Sequence, residues 1–398
     1  MSYVSSYPII VIMGGPDVDS RISLMNQLKK GSNVQALGSD QSLTNKFNQA
    51  GFEYHFYPLH RGANPFADLQ TYFKLRKIFQ QQKPHIVHTF DTKPGVWGRL
   101  AARSAGVPVV IGTLPGLGSL YTDDSIKTRM LRQTIYQPLQ KRACYTSDMT
   151  IFQNQDDASQ FILSGLVPAD KTTIIPGSGV DIDFYNPAHY SLDHRQQLLQ
   201  KLSIQPDTIV ITMISRLTQS KGVPQFFKAA QLITTQFPKV SFLLVGPEDQ
   251  ASSDCLTPSQ MQQVNKYLNW VGSRQDIPLI LASSDIFVLP TTYREGIPRV
   301  LLEAASMGLP LVATDVTGCR EVVQDGVNGF LVPPYNQDVL NETLIRLIMD
   351  AKLRQRLGNN SRKIAVKHFD IDIIASQTDQ LYWQLLKKKN IIRSEVSS

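Results

Sequence analysis

Residues 286–314 read IFVLPTTYREGIPRVLLEAASMGLPLVAT. Ile286–Pro290 is an apolar run of strand length, Arg299–Met307 is good helix material closed by Gly308, and Pro310–Thr314 is a second apolar run. A strand that returns as a strand after one helix runs parallel to the first, with the helix crossing over the sheet face. The same alternation extends backwards through Asp207–Ile214, Gly222–Gln236, Val240–Val245, Met261–Tyr267, Asn269–Val271 and Gln275–Ala282, and forwards to Val339–Arg356. It also fills the first half: Pro8–Met13 with Ser20–Lys30, Phe52–Pro58 with Ala67–Gln82, and Pro84–Thr89 with Val96–Ala105. Val107–Gly112, the basic stretch Ile126–Arg142 and Met149–Gln153 follow.

Between the halves, Thr173–Pro187 is rich in Pro, Gly and Ser and reads as a linker. The expected class is therefore α/β, with two Rossmann-like, doubly wound parallel sheets. The boundaries read as 1–186 and 187–370. The amphipathic stretch 371–398, with Ile374, Leu381 and Leu385 near one helical face, is expected to pack back on the first unit.

A length of 398 residues with 42% hydrophobic and 18% charged residues suits two or three soluble domains. No window reaches the roughly 20 apolar residues of a membrane span. Met1–Ser6 lacks the basic and apolar pattern of a secretory leader, so a cytoplasmic location is expected. The three cysteines, Cys144, Cys255 and Cys319, form neither a paired framework nor a zinc set. Between His60 and Tyr145, 13 Lys and Arg face four Asp, a local excess of +9. Nucleic acid is an unfavoured partner, because no aromatic residues interleave those cations as a stacking platform.

The chemistry concentrates where the second half's strands end. Pro298 suits a first helical position, so Gly296, Ile297 and Arg299 would present amides at a helix start, where the dipole favours a phosphate. Glu295 precedes that anion site and Glu303 lies about one and a half turns inside the helix, roughly 7 Å along its axis. Two carboxylates bracketing one phosphate site match a nucleotide-sugar, whose diphosphate separates two hydroxyl-rich rings. Arg216 and Lys221, in the loop after Ile209–Ile214, are the cations for that diphosphate. In the first half, Gly14-Gly15 follows the first strand, and His88, Asp91 and Lys93 follow Ile86-Val87. Gly14–Asp19 lacks the GxGxxG spacing, which disfavours an oxidoreductase. The Asp-x-Asp triplets at 17–19, 181–183 and 370–372 read as loop and cap carboxylates, and no metal is assigned.

Taken in order, Arg216 with Lys221-Gly222, Val245-Gly246, and Glu295-Gly296-Ile297-Pro298 with Glu303 resemble the family-4 glycosyltransferases of the GT-B fold, two Rossmann-like domains facing across a cleft. The resemblance implies a hexosyl or N-acetylhexosaminyl transferase that retains anomeric configuration, without metal and without a resident cofactor, the nucleotide-sugar being its substrate. Glu295 would bind the donor sugar, Glu303 the ribose, and Arg216 and Lys221 the diphosphate. The turn Gly296, Ile297, Pro298, Arg299 and Val300 would contact the donor, with Gly14 and Gly15 near its phosphates and Val271, Gly272 and Arg274 beside the base. UDP is the nucleotide the family implies. Many relatives carry a His where this chain has Leu114-Pro115, so that residue's role does not transfer.

His88-Thr89-Phe90-Asp91-Thr92-Lys93-Pro94-Gly95, Gly112–Ser119 and Thr314–Val323 look most like the branch that extends bacterial lipid-linked saccharides for capsule, exopolysaccharide or O-antigen. His88, Asp91 and Lys93 are its acceptor-side candidates. A polyprenyl-diphosphate acceptor would use the basic excess. Lys127, Arg129, Arg132, Lys141 and Arg142, with Ile126, Met130, Leu131 and Ile135, suit peripheral attachment to the anionic inner face of the cytoplasmic membrane. A transferase with a soluble acceptor, sucrose- or glucan-type, and a non-catalytic nucleotide-sugar-binding subunit are the alternatives.

Overall fold

The computed structural model describes residues 7–60, 64–116, 126–250 and 254–391. Arg61, Leu117–Ser119, Asp123 and Asp124 lie outside them. The chain divides into two compact units, one formed by 1–179 with 371–398 and the other by 180–370.

The first unit holds a seven-stranded sheet in the order β3-β2-β1-β4-β5-β6-β7. Its strands are β1 (Ile9–Met13), β2 (Asn33–Gly38), β3 (Glu53–Phe56), β4 (Ile86–Thr89), β5 (Val109–Leu114), β6 (Met149–Phe152) and β7 (Thr172–Ile174). Every pairing is parallel, with Ile12 opposite both Ala36 and His88. Helices cover both faces, so central strands such as Ile9–Met13 read as unbroken apolar runs. Two strands of this sheet escaped the sequence reading, as did β13 of the second unit (Gly329–Val332). β2 is interrupted by Gln35, buried because its amide donates to Glu53 at 3.0 Å. β7 takes the start of the supposed linker, since Thr172–Ile174 pair with Thr150–Phe152 at the sheet edge.

The helix Ile371–Lys388 belongs to this unit: Ile374, Ala375, Leu381, Tyr382, Leu385 and Leu386 are buried with Ile10, Ile12, Leu24, Met25 and Phe90. Lys389 adds an ion pair to Asp148 at 2.9 Å. The basic excess is smaller at the surface than the sequence count implies. Arg99 is wholly buried, donating to the Gly95 carbonyl at 2.5 Å and to Thr150 at 3.4 Å, while Arg103 pairs with Asp148 at 2.6 Å.

The second unit has a six-stranded parallel sheet in the order β10-β9-β8-β11-β12-β13. Its strands are β8 (Ile209–Ile214), β9 (Val240–Val245), β10 (Asn269–Trp270), β11 (Ile286–Leu289), β12 (Leu311–Thr314) and β13 (Gly329–Val332). The division falls at Gly179–Val180, ahead of residue 186, for a physical reason. The Val180 amide donates to Phe369 O at 2.8 Å, and Ile182, Tyr185 and Tyr190 pack into the second unit's core.

Each sheet has one topological switch point, between β1 and β4 in the first unit and between β8 and β11 in the second. Open α/β sheets bind ligands outside the carboxyl ends of their strands, at that crevice.

Candidate active site

In the second unit the switch point joins two loops, Ser215–Gly222 after β8 and Pro290–Pro298 after β11. The Ser220 carbonyl ties them together, accepting from the Thr292 amide at 2.7 Å, the Tyr293 amide at 3.2 Å and the Thr291 hydroxyl at 3.1 Å. Gly222 makes this approach possible: its φ is +85°, and a Cβ there would lie 2.0 Å from the Pro290 carbonyl oxygen. The outcome is an ion pair between Lys221 Nζ and Glu295 Oε1, with Thr291 Oγ1 also donating to that oxygen at 3.4 Å. The ammonium sits 5.0 Å from the centroid of the Tyr293 ring. Glu295 is 9% exposed, so this is a partly desolvated charge pair rather than a surface one.

Arg216 is held elsewhere. Its guanidinium pairs with Asp249, which follows β9, and it is largely exposed. Sequence reasoning named Arg216 but not Asp249, since no spacing links the two positions.

The helix after the Glu295 loop runs Arg299–Ser306. Pro298 is its N-cap rather than its first residue, with ψ at 116°. The Leu301 amide donates to Pro298 O at 3.0 Å, and no side chain among the described residues caps the helix. Arg299 and Val300 therefore carry the two leading amides that the helix itself does not use. Arg299 is exposed, while Val300 packs partly on the core that buries Ile297. Gly318 presses against this loop from the other side. With φ at +87°, a Cβ there would meet Gly296 O at 2.1 Å and Glu295 O at 2.8 Å.

Glu303 turns into the protein. Burial pushes its carboxyl above the usual range, opposed by the Arg299 guanidinium and by a hydrogen bond from the Tyr185 hydroxyl. Arg299 Nη2 lies 3.6 Å from Glu303 Oε1, and the carboxylate pushes the Tyr185 phenol further up than burial alone. Beside β10, the Val271 amide donates to Leu244 O at 3.1 Å and Gly272 O accepts the Gly246 amide at 2.9 Å. Arg274 forms a two-pronged pair with Asp276 at 2.8 and 2.6 Å, which holds the Asp276 carboxyl below its ordinary range.

In the first unit, Gly14 and Gly15 leave β1 and Asp91 leaves β4, on the two sides of the switch point. The Gly15 amide donates to Asp91 Oδ2 at 3.0 Å, and Tyr57 donates to Gly14 O at 2.8 Å. Asp91 has φ at 68° and ψ at 171°, a region costly for any residue with a Cβ and one that collects at functional sites. Burial and the neighbouring Asp17 raise its carboxyl, against Arg21 and the Gly15 amide. Lys93 is tied back to Asp68 and to His60 O, each at 2.6 Å.

The expectation for His88 needs correcting. It is a β4 residue 1% exposed, with Nδ1 2.6 Å from Tyr382 Oη and Nε2 2.6 Å from Thr113 Oγ1, so neither ring nitrogen is open to an acceptor. Burial, with Arg21 and Arg99 adding repulsion, lowers its pKa to about 3. The folded state keeps this imidazole neutral while the unfolded chain protonates below about 6.5. Its stabilisation is full at neutral pH and fades as pH falls. At pH 4.5 the expected loss is about 3 kcal/mol, and urea denaturation at pH 7.5 and 4.5 should show a smaller difference for His88→Gln than for the wild type.

Two of the Asp-x-Asp carboxylates have structural uses: Asp19 pairs with Lys46 at 2.5 Å, and Asp181 Oδ1 accepts the Phe184 amide at 2.9 Å.

Models of two domain families match the chain, "Glycosyl transferase 4-like domain" over residues 26–177 and "Glycosyl transferases group 1" over residues 194–364. A UDP-Gal:alpha-D-GlcNAc-diphosphoundecaprenol alpha-1,3-galactosyltransferase of Escherichia coli is 30% identical over 83% of this chain and 83% of its own. The N,N'-diacetylbacillosaminyl-diphospho-undecaprenol alpha-1,3-N-acetylgalactosaminyltransferase of Campylobacter jejuni is 29% identical over 92% of this chain and 95% of its own. The crystal structure of Anabaena HepE in complex with UDP and glucose superposes with a TM-score of 0.78, at 22% identity, over 95% of this chain and 100% of that one. Two matching domain models, two parallel-sheet units and similarity along most of the chain lead to one assignment: the chain is a glycosyltransferase of the GT-B fold, a member of the group 1 family with a glycosyl transferase 4-like first domain.

Proposed function

We propose that this glycosyltransferase moves a hexosyl or N-acetylhexosaminyl group from a UDP-sugar to a saccharide carried on a polyprenyl diphosphate, with retention of configuration, in the synthesis of a cell-surface polysaccharide. What carries the reading is the Lys221–Glu295 pair at the second unit's switch point, beside an uncapped helix start. Arriving donor places its diphosphate against Lys221, Arg216 and the leading amides of Arg299 and Val300, with Gly296, Ile297 and Pro298 shaping the approach. Glu295 then accepts from the sugar's hydroxyls and Glu303 from the ribose, while Val271, Gly272 and Arg274 border the base. Gly14, Gly15 and Asp91 serve the first unit's share of the substrates.

In the reaction the bond from sugar C1 to the β-phosphate oxygen breaks, and the acceptor oxygen bonds to C1 on the same face. The acceptor proton passes to the departing phosphate. Positive charge from Lys221 and the helix start stabilises the negative charge growing on that leaving group, the largest lever such a site has. The reading includes no metal and no resident cofactor.

The acceptor class rests on the two relatives whose names specify undecaprenol-diphosphate saccharides. Attachment to the inner face of the cytoplasmic membrane is supported by the surface of the first unit. No helix among the described residues is long and apolar enough to cross a membrane. Ile126, Met130 and Ile135 are exposed beside Arg129, and Lys141 and Arg142 are exposed one element later. A second stripe, Phe66, Leu69 and Phe73, lies at helical spacing on the exposed face of Pro65–Gln82 together with Lys74 and Lys77. Sequence reading took that helix only as a crossover. Each cation near an anionic leaflet adds about 1 kcal/mol.

The test is transfer from a panel of labelled UDP- and GDP-sugars to a polyprenyl-diphosphate saccharide, with co-sedimentation on vesicles containing or lacking anionic lipid. The expected result is turnover with one UDP-sugar and binding to anionic vesicles alone. Transfer only to a soluble sugar without vesicle binding would favour a soluble-acceptor enzyme, and tight nucleotide binding with no turnover would favour a binding subunit.

A further inference from the structure

A third chain segment meets the two switch-point loops of the second unit, the one that leaves β9. We propose that Asp254, in that segment, is a positioning residue for transfer: by fixing Ser220 it sets where Lys221 stands against the departing diphosphate. The proposal rests on the reading that Lys221 serves that diphosphate.

Ser220 is the junction. Its amide donates to Asp254 Oδ2 at 3.0 Å, and its hydroxyl donates to the same oxygen. Its carbonyl is the one that accepts from Thr291, Thr292 and Tyr293. One residue is therefore held by a carboxylate on one side and by the Glu295 loop on the other. Lys221 follows it directly in the chain, and its ammonium pairs with Glu295 in that second loop. Ser215–Gly222 belongs to no helix or strand, so its tertiary contacts set its course.

The segment after β9 supplies those contacts along the loop. Gly246, with φ at +141°, passes so close that a Cβ there would lie 1.8 Å from Ser215 O. The Leu217 amide donates to Pro247 O at 3.0 Å, and Arg216 pairs with Asp249. Further along, the Gln219 amide donates to Asp254 O at 3.0 Å and Gln219 Nε2 to Cys255 O at 3.2 Å. Residues 247–249 thus hold the start of the loop and residues 254–255 hold its end, where Lys221 departs. Bonds to a carboxylate are charge-assisted and stronger than neutral ones, so the Asp254 side chain is the firm hold at that end. Asp254→Ala removes it and leaves the Ser220 hydroxyl and amide without this acceptor. Asp254→Asn keeps a carbonyl oxygen for the same two donors.

The experiment is steady-state kinetics of the full chain with its preferred UDP-sugar. The variants are Asp254→Ala, Asp254→Asn, Ser220→Ala, Lys221→Ala and the double variant Asp254→Ala/Lys221→Ala. Asp254→Ala is expected to lower kcat about 10- to 100-fold with only a few-fold change in KM, and Asp254→Asn should recover most of that loss. In the Lys221→Ala background the same Asp254→Ala change should lower kcat by less than about twofold, because the group it positions is already gone. A residue that only supports the fold would cost the same factor in both backgrounds. Ser220→Ala drops the hydroxyl and keeps the amide bond, so its kcat should fall between wild type and Asp254→Ala. It takes the place of Asp254→Ala in the cycle if that variant does not fold. Wild-type kcat in Asp254→Ala, an equal factor in both backgrounds, or no recovery in Asp254→Asn, while Lys221→Ala is impaired, would overturn the role of Asp254 alone. Unchanged kcat in Lys221→Ala would overturn both the diphosphate reading and the proposal built on it.

Discussion

Replacing Lys221 with alanine is expected to lower kcat by about two to three orders of magnitude and to change donor affinity only a few-fold. The switch-point loops hold the ammonium directly on Glu295, a candidate donor-binding carboxylate. In the ground state it neutralises that carboxylate. In the transition state its charge is needed on the leaving diphosphate, so its removal is felt in turnover more than in binding. Arginine should not rescue, because a planar fork replaces a compact point charge beside the Tyr293 ring. Lys221→Ala also leaves the partly buried Glu295 carboxylate without its counter-ion, which costs about 3 kcal/mol of stability. The double variant Lys221→Ala/Glu295→Gln separates the two effects. It should regain thermal stability and remain inactive, and steady-state kinetics with the preferred UDP-sugar would check both arms.

The second large effect comes from a residue that acts through the backbone beside Glu295. Gly318→Ala would put a methyl group 2.1 Å from Gly296 O and 2.8 Å from Glu295 O, so the loop ahead of Pro298 has to move. Movement of about 1 Å there is worth about 100-fold in rate, and UDP-dependent thermal stabilisation should largely disappear. Gly326→Ala is the control. It too has positive φ, 71°, but nothing lies within 4 Å of its added Cβ. It should cost about 1 kcal/mol of stability and leave UDP binding intact. Equal loss of UDP binding in both variants would mean that backbone strain, rather than displacement of the Glu295 loop, is responsible.

The sequence was informative where one period dominates. Ile286–Leu289, Arg299–Ser306 and Leu311–Thr314 form the strand, helix and strand that their patterns indicate, because both sheet faces are covered and the strands need no polar residues. Short edge strands were harder. β7 contributes three residues, too few for a pattern to emerge, whereas the two-residue β10 falls within the expected run Asn269–Val271. Pro298 looked like a first helical residue because its φ of −65° suits either place. Its ψ of 116° makes it the cap, and local sequence does not encode that choice.

Partnerships at long sequence separation were the least legible. Lys221 with Glu295, Arg216 with Asp249, His88 with Tyr382, and Tyr185 with Glu303 are created by tertiary packing. Spacing supplied Glu295 and Glu303 as a pair. It carried no sign that Thr291 and Lys221 share the first or that Tyr185 and Arg299 share the second. Gly318 and Arg99 were invisible for a related reason. One matters for the space it leaves beside Gly296, the other is a charge absorbed into the core, and composition counts both at face value.

The most direct measurement is a crystal structure of the full chain with its preferred UDP-sugar, the transferable sugar carrying a 2-fluoro group to slow turnover. The expected density places the diphosphate at the leading amides of Arg299–Ser306 and within reach of Lys221, with Glu295 on the hexose and Glu303 on the ribose. Donor bound away from the β8–β11 crevice, or Glu295 and Glu303 without contact to either ring, would contradict it.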